Sequence, residues 1–209
     1  MRFILPALVL FAACKSDTPE ELIENNDVED LDLFGDPGEG VVYDLDVSAE
    51  PELIFTGYGI GGGEQFGTWL RYDVRGVKRG DDLTDLDIQV LVEMDSVETG
   101  NGQLTRHLKT DDFFDVQNHP TAEFRAIDIV NTSGDEYRVN GTLTLRGTTA
   151  DFAWDTTITE ADGVITASAN MAFSRWDWGL YPESADEPGD DGVGDEVLLD
   201  YAMTLRATE

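Results

Sequence analysis

Arg106, His107 and Lys109 bring a guanidinium, an imidazole and an ammonium together around Leu108, which stands four residues after Leu104. Leucines four apart share one side of a short helix, so residues 104–109 predict an amphipathic turn with basic groups beside its apolar side. Phe113 and Phe114 follow between acids, and His119-Pro120 turns the chain into an apolar-polar segment that includes Phe124. Water gives Leu108, Phe113 and Phe114 no reason to sit in a bare loop, so this stretch is expected to close over something apolar. His107 could orient a polar or anionic head group, with Arg106 and Lys109 beside it. Its simpler use is to bond neighbouring backbone and hold the helical turn. His119, before Pro120, reads as a turn residue.

Reactive constellations are otherwise scarce. The two His both lie in that one segment, too few for a typical His-based metal site, and Cys14 is the only Cys. No Gly-x-Ser-x-Gly elbow is present. Residues 59–63 read GIGGG, but no Lys-Ser/Thr follows and no βαβ pattern surrounds them, so a pliable rim is the better reading than a phosphate cradle. Asp186, Glu187, Asp190, Asp191, Asp195 and Glu196 could gather Ca²⁺ ligands, yet Asp191 stands where an EF-hand needs Gly. The segment 182–196 reads as a solvated acidic loop. Neither catalysis, a metal nor a cofactor is predicted.

The elements that must position these groups are strands. Leu86, Ile88, Val90, Val92 and Met94 alternate with polar residues, and so do Tyr137, Val139, Leu143 and Leu145. Phe152, Trp154 and Ile158 form another apolar face, as do Ile165, Ala167, Ala169, Met171 and Phe173, and Val197, Leu199, Tyr201, Met203 and Leu205. Weaker period-two segments lie at 41–47, 53–60, 66–75 and 122–130. In the last of these, Ile127 and Ile129 abandon the parity of Phe124 and Ala126, which predicts a bulge. About eight or nine strands with one helix-like insertion argue an all-β antiparallel domain. One apolar face per strand fits either a closed barrel or two packed sheets. Strands of ten residues or so, about 33 Å long, suit a deep barrel. Small residues on the apolar faces (Ala122, Ala126, Gly141, Ala167 and Ala169) are compatible with a ligand tunnel, and equally with a filled core. A tunnel would be lined by Leu86, Ile88, Val90, Val92, Phe113, Phe114, Phe124, Leu143, Leu145, Trp154, Met171, Phe173, Leu199, Tyr201 and Met203.

Four stretches resemble the YceI-like family of bacterial periplasmic proteins. Arg106, His107, Leu108, Asp112, Phe113, Phe114, Pro120 and Phe124 match its basic-His-Leu, acid-aromatic-aromatic and Pro-Phe pattern. GTLTLRGTT at 141–149 resembles its strand ending in Gly-Val-Thr, with Thr148 in the aliphatic place and Ala150-Asp151 where Lys-Pro is common. SRWDWGL at 174–180 resembles its Arg-x-Asp-aromatic-Gly element through Arg175, Asp177, Trp178 and Gly179. FGTWLRYDVRG at 66–76 resembles its Gly-Thr-Phe strand, with Trp69 in the aromatic place. The resemblance spans about Val41 to Ala207. It implies an eight-stranded lipocalin-like barrel over 41–209, with the short helix near its mouth, that binds a polyisoprenoid or isoprenoid quinone without catalysis. The alternative is a structural or stress-response barrel of the same fold with a filled core.

MRFILPALVLFAA at 1–13 has the short apolar run of a secretory signal, too short to span a bilayer, and its small-small-Cys ending resembles a bacterial lipobox. Cys14 is therefore expected to be acylated and to anchor the mature chain in the cell envelope, with Lys15 favouring the outer membrane. Residues 14–40 read as an acidic tether. Across the chain 44 acids face 13 bases, a formal charge of −31. Such an excess leaves no basic face for nucleic acid. The expected partners are an apolar lipid and, through the acylated N-terminus, a membrane; a homodimer is compatible with these features.

Overall fold

The computed structural model describes residue 34 and residues 36–59 and 61–208; Cys14, the apolar leader and most of the tether lie outside the described residues. Eleven strands make one antiparallel sheet: β1 (Val41–Leu45), β2 (Glu52–Tyr58), β3 (Glu64–Trp69), β4 (Tyr72–Lys78), β5 (Leu86–Glu93), β6 (Val97–Glu98), β7 (Thr121–Ser133), β8 (Glu136–Leu145), β9 (Thr148–Ala161), β10 (Val164–Ser174) and β11 (Glu196–Ala207). The helix α1 (Gly102–Leu108) interrupts them once.

The pairing order β1-β4-β5-β7-β8-β9-β10-β11 closes on itself, because β11 also pairs with β1 through Tyr43↔Ala207, Asp44↔Arg206 and Leu45↔Leu205. The described residues thus form a closed eight-stranded antiparallel barrel with one short helix. The remaining strands β2, β3 and β6 continue β1, β4 and β5 toward one end. A 3₁₀ turn at Val47–Ala49 separates β1 from β2, residues 70–71 separate β3 from β4, and a 3₁₀ turn at Met94–Ser96 separates β5 from β6. The continuous strand expected over 66–75 is therefore broken. Ser96 occupies that break: its backbone oxygen accepts from Leu70 N at 3.2 Å and its hydroxyl from Arg71 N at 3.0 Å. The polar atoms exposed by the interruption are met inside the fold.

Register follows the apolar alternation. Leu199 lies opposite both Met171 and Phe55, and Val139 opposite both Ile129 and Trp154, so all of these face inward. The expected bulge falls at Ile127, where pairing slips between Ala126 and Asp128. The slip turns Ile127 outward, 71% exposed, and returns Ile129 to the core at 4%. Gly141 is small for a reason other than ligand space. A Cβ there would stand 2.2 Å from the Arg125 carbonyl oxygen and 2.4 Å from the Phe124 ring. The ring fills the space that a side chain at 141 would take, an exchange that small strand residues permit.

The end formed by the 78–86, β7–β8 and β9–β10 turns is sealed. Tyr43, Leu45, Leu86, Ile158, Ile165 and Leu205 pack there below 10% exposure. Beside them Lys78 Nζ donates to both Glu160 carboxylate oxygens at 2.6 Å, and Tyr43 donates its hydroxyl to the same group at 2.5 Å. These bonds hold the Glu160 carboxyl below, and the Lys78 ammonium above, their ordinary pKa ranges.

Candidate functional site

The opposite end is covered by the 99–120 segment. Asn101 caps α1, its side-chain oxygen accepting from Gln103 N at 3.0 Å and Leu104 N at 3.4 Å. The chain then folds back, with Phe114 N donating to Leu108 O and Asp115 N to Thr110 O, while Asp115 takes a positive φ of 47°. This tight return drives Leu108 and Phe114 into the core at 8% and 7% exposure. Arg146, in the β8–β9 turn, donates to the Asp111 and Gly179 carbonyl oxygens and so ties the cover to the segment after β10.

Beneath the cover lies a cavity of about 540 Å³. Ligand pockets commonly fall between about 300 and 1,000 Å³. Every apolar residue named above for a tunnel borders it: Leu86, Ile88, Val90, Val92, Phe113, Phe114, Phe124, Leu143, Leu145, Trp154, Met171, Phe173, Leu199, Tyr201 and Met203. Ala122 and Ala167 border it as well, whereas Ala169 and Gly141 do not. The interior of this barrel is open rather than filled. Among the described residues no Asp or Glu lines it, although the chain carries 44.

Two aromatic walls face the space. Phe124 and Trp154 stand 4.7 Å apart, and Phe152 lies 5.5 Å from Trp154 and 5.8 Å from Trp178. Toward the cover, Trp69 meets Phe55 at 5.0 Å and Phe114 at 5.8 Å. Trp69 stood out in the sequence as the aromatic of the 66–76 stretch and Phe152 as part of an apolar face, whereas nothing local marked Phe55 above its neighbours.

The basic trio divides. His107 borders the mouth, its Nε2 3.1 Å from Asp112 Oδ2 and its ring edge-on to Phe113 at 5.0 Å. Arg106 and Lys109 do not border the cavity; Lys109 pairs with Asp95 at 3.2 Å and Arg106 is exposed. The reason is helical phase. Leu104, His107 and Leu108 share the i, i+3, i+4 stripe facing inward, and residues 106 and 109 fall off it. Of the three bases expected near a head group, His107 is the one that borders the cavity.

Among the described residues that line the cavity, Arg175 carries the one permanent charge. It is 2% exposed and donates to the carbonyl oxygens of Gly194 at 2.9 Å, Leu180 at 2.6 Å and Val193 at 3.1 Å, and to Asp191 Oδ1 at 2.7 Å. This staple folds the 182–196 loop onto the barrel. Two further acids of that loop have structural partners: Asp190 accepts from the backbone of Asp186 and Glu187, and Asp195 from the Ser174 hydroxyl. No grouping of three metal-ligating side chains occurs among the described residues.

Deeper in, Trp154 Nε1 donates to the Tyr201 hydroxyl at 3.0 Å, which lies 2.6 Å from Thr156 Oγ1. Thr156 in turn donates to Ser168 O at 3.0 Å, so Tyr201 must donate to Thr156. Burial pushes the Tyr201 phenol pKa upward despite these bonds. The cluster is neutral near pH 7, self-satisfied, and provides no general base.

These features have counterparts among known proteins. The YceI-like domain model matches residues 55–205, most of the barrel. The chain belongs to the YceI-like family. A UPF0312 protein of Pectobacterium atrosepticum is 36% identical over 62 residues, covering 30% of this chain and 32% of the relative. The aligned stretch thus spans about a third of such curated relatives. Among solved structures, Burkholderia cenocepacia BcnA superposes with a TM-score of 0.68 at 18% identity, over 77% of this chain and 98% of the other. A polyisoprenoid-binding domain from Saccharophagus degradans, implicated in plant cell wall breakdown, gives 0.61 at 15%, over 79% and 98%. At these identities the likeness is one of fold, and this YceI-like barrel shares it along nearly the whole length of both neighbours.

Proposed function

We propose that this protein binds a long-chain isoprenoid-type lipid, a polyprenyl compound or an isoprenoid quinone, without catalysis, and stores or carries it in the cell envelope. The observation that carries the reading is the carboxylate-free apolar cavity of about 540 Å³ inside a closed barrel. A filled structural barrel, the other reading, has no use for such a volume. Each CH₂ moved from water into the lining contributes about 0.8 kcal/mol, so ten give about 8 kcal/mol before ordering costs, enough for micromolar binding or better. The Saccharophagus degradans neighbour is described as polyisoprenoid-binding, which favours a branched chain over a straight one. Acylation of Cys14 would keep the barrel at a membrane from which such lipids are taken, with the outer membrane as the favoured site; several acyl chains anchor firmly where one does not.

Ala167 tests the reading because it borders the cavity between Ile158 and Met203. In Ala167→Trp the indole should enter that space, leave the barrel folded, and lower affinity for a fluorescent polyprenyl probe at least tenfold. Undiminished binding by a folded Ala167→Trp protein would place the lipid elsewhere.

A further inference from the structure

Along the barrel wall, the ladder between β9 and β10 stops halfway. It runs through five register pairs, from Val164↔Ala161 to Ser168↔Thr157, and the continuations 169–174 and 148–156 are not paired with each other. Neither strand has ended there: β10 stays paired with β11 up to Ser174↔Glu196, and β9 with β8 up to Leu145↔Thr148. We infer that this seam is a lateral portal through which the chain of a bound lipid enters and leaves the cavity. The inference rests on the lipid-binding reading above and adds the route that the lipid takes.

Unpaired strand edges expose backbone N–H and C=O groups, which a sheet closed into a barrel normally removes. Here side chains span the gap instead. At its floor Trp154 of β9 reaches past β10 to β11, donating to the Tyr201 hydroxyl at 3.0 Å. Ala169, paired opposite Tyr201, is too small to bar that reach. Beside it Thr156 donates at 3.0 Å to the carbonyl oxygen of Ser168, the last residue of β10 that pairs with β9. Above the floor, Phe152 of β9 meets Phe173 of β10 at 6.2 Å, and Trp178 packs on the two rings at 5.8 and 5.4 Å. At the top Arg146, just before β9, donates to the Gly179 carbonyl oxygen beyond β10 and to Asp111 of the cover. Loosening the cover therefore also loosens the upper end of the seam.

Such a seam parts at lower cost than a paired ladder. Separating paired strands breaks backbone hydrogen bonds, whereas here rings have only to change rotamer. Its position suits a lipid chain. Phe152 and Trp154 on one edge, and Met171 and Phe173 on the other, border the cavity, so the seam leads directly into the apolar space. On the outer face the continued register sets Ala153 beside Ala172, both small and both exposed. The end of the barrel is a poorer route, since the cover plugs it with buried Leu108 and Phe114. The ladder between β5 and β7 also falls short, but at the sealed end, where the 3₁₀ turn at Leu83–Asp85 packs against β7.

A cleavable strap tests the route. In the full-length protein carrying Cys14→Ser, Ala153→Cys and Ala172→Cys, dithiobis(maleimidoethane) ties the two edges together from outside. Reductant then cuts the tie and leaves both adducts in place. Association and dissociation of a fluorescent polyprenyl probe should both slow about tenfold or more in the strapped form, and recover on reduction. Affinity should stay nearly constant, because the strap lies outside the cavity. The same strap across a continuous ladder, on Ser168→Cys and Ala202→Cys, which face each other in β10 and β11, should change neither rate. Unchanged rates under the first strap, or equal slowing by the second, overturn the inference while lipid binding stands. A probe that binds none of these proteins overturns the two together.

Discussion

Arg175 concentrates more structural consequence than any other side chain at the mouth. Its partner Asp191 has a side chain 8% exposed and pairs with it at 2.7 Å. Arg175→Met should destabilise the barrel by about 3–5 kcal/mol in urea unfolding, because a buried charge is left unpaired, whereas Arg175→Met with Asp191→Leu should recover much of the loss. Equal stability of single and double variants would contradict this. Gly141→Ala should also destabilise, by about 1–3 kcal/mol, since the Arg125 carbonyl cannot retreat from the new methyl and the Phe124 ring must move. The inward residues were legible because strand parity is a local, period-two property. Arg175 was visible only as a pattern match. Its partners come from residues 180–194, and how that loop folds back depends on contacts that no local pattern encodes. Arg106 and Lys109 were misplaced for a related reason: their proximity in sequence was clear, but the phase of α1 against the cavity was not.

At the scale of elements, the cover and the sealed end behave differently. Asn101→Ala removes a cap worth about 1 kcal/mol, so the 99–120 segment should open more often and ligand displacement should quicken about fivefold. The barrel's thermal midpoint should hardly move; stopped-flow displacement and calorimetry measure the two. At the sealed end, Glu160 is held below its ordinary pKa near 4.5 by Lys78 first and Tyr43 next. A depressed folded-state pKa means stability present above that ordinary value and lost as pH falls through the folded one. The advantage of the natural protein over Glu160→Gln should therefore be full above pH 4.5 and shrink below it. A constant difference across that window would show that the bonds do not couple to folding. The break between β3 and β4 escaped sequence reading because the segment 66–75 reads as one period-two run. The Ile127 bulge did not escape, because it alone reversed the parity.

For the whole molecule, closure was the least legible property. Alternation fits a sandwich as well as a barrel, and the closing pair of β1 and β11 rests on three register pairs between the two ends of the chain. Whether the interior is open was equally hidden, since Gly141 makes room for a ring and Ala122 and Ala167 make room for a cavity, yet all are small inward residues. The charge of −31, by contrast, is a direct sum over the sequence. Self-repulsion among exposed carboxylates should make the melting temperature rise with sodium chloride as the Debye length falls from about 10 Å at 0.1 M to about 3 Å at 1 M. A flat response would mean that spacing and pairing already relieve the repulsion. The central claim, that the cavity carries a lipid, is tested most directly by purifying the protein from its native cells under mild conditions and analysing it by native mass spectrometry with solvent extraction. A near-stoichiometric isoprenoid compound in the natural protein, sharply reduced in a folded Ala167→Trp variant, is the expected result. Protein that carries no lipid in either form would contradict the claim.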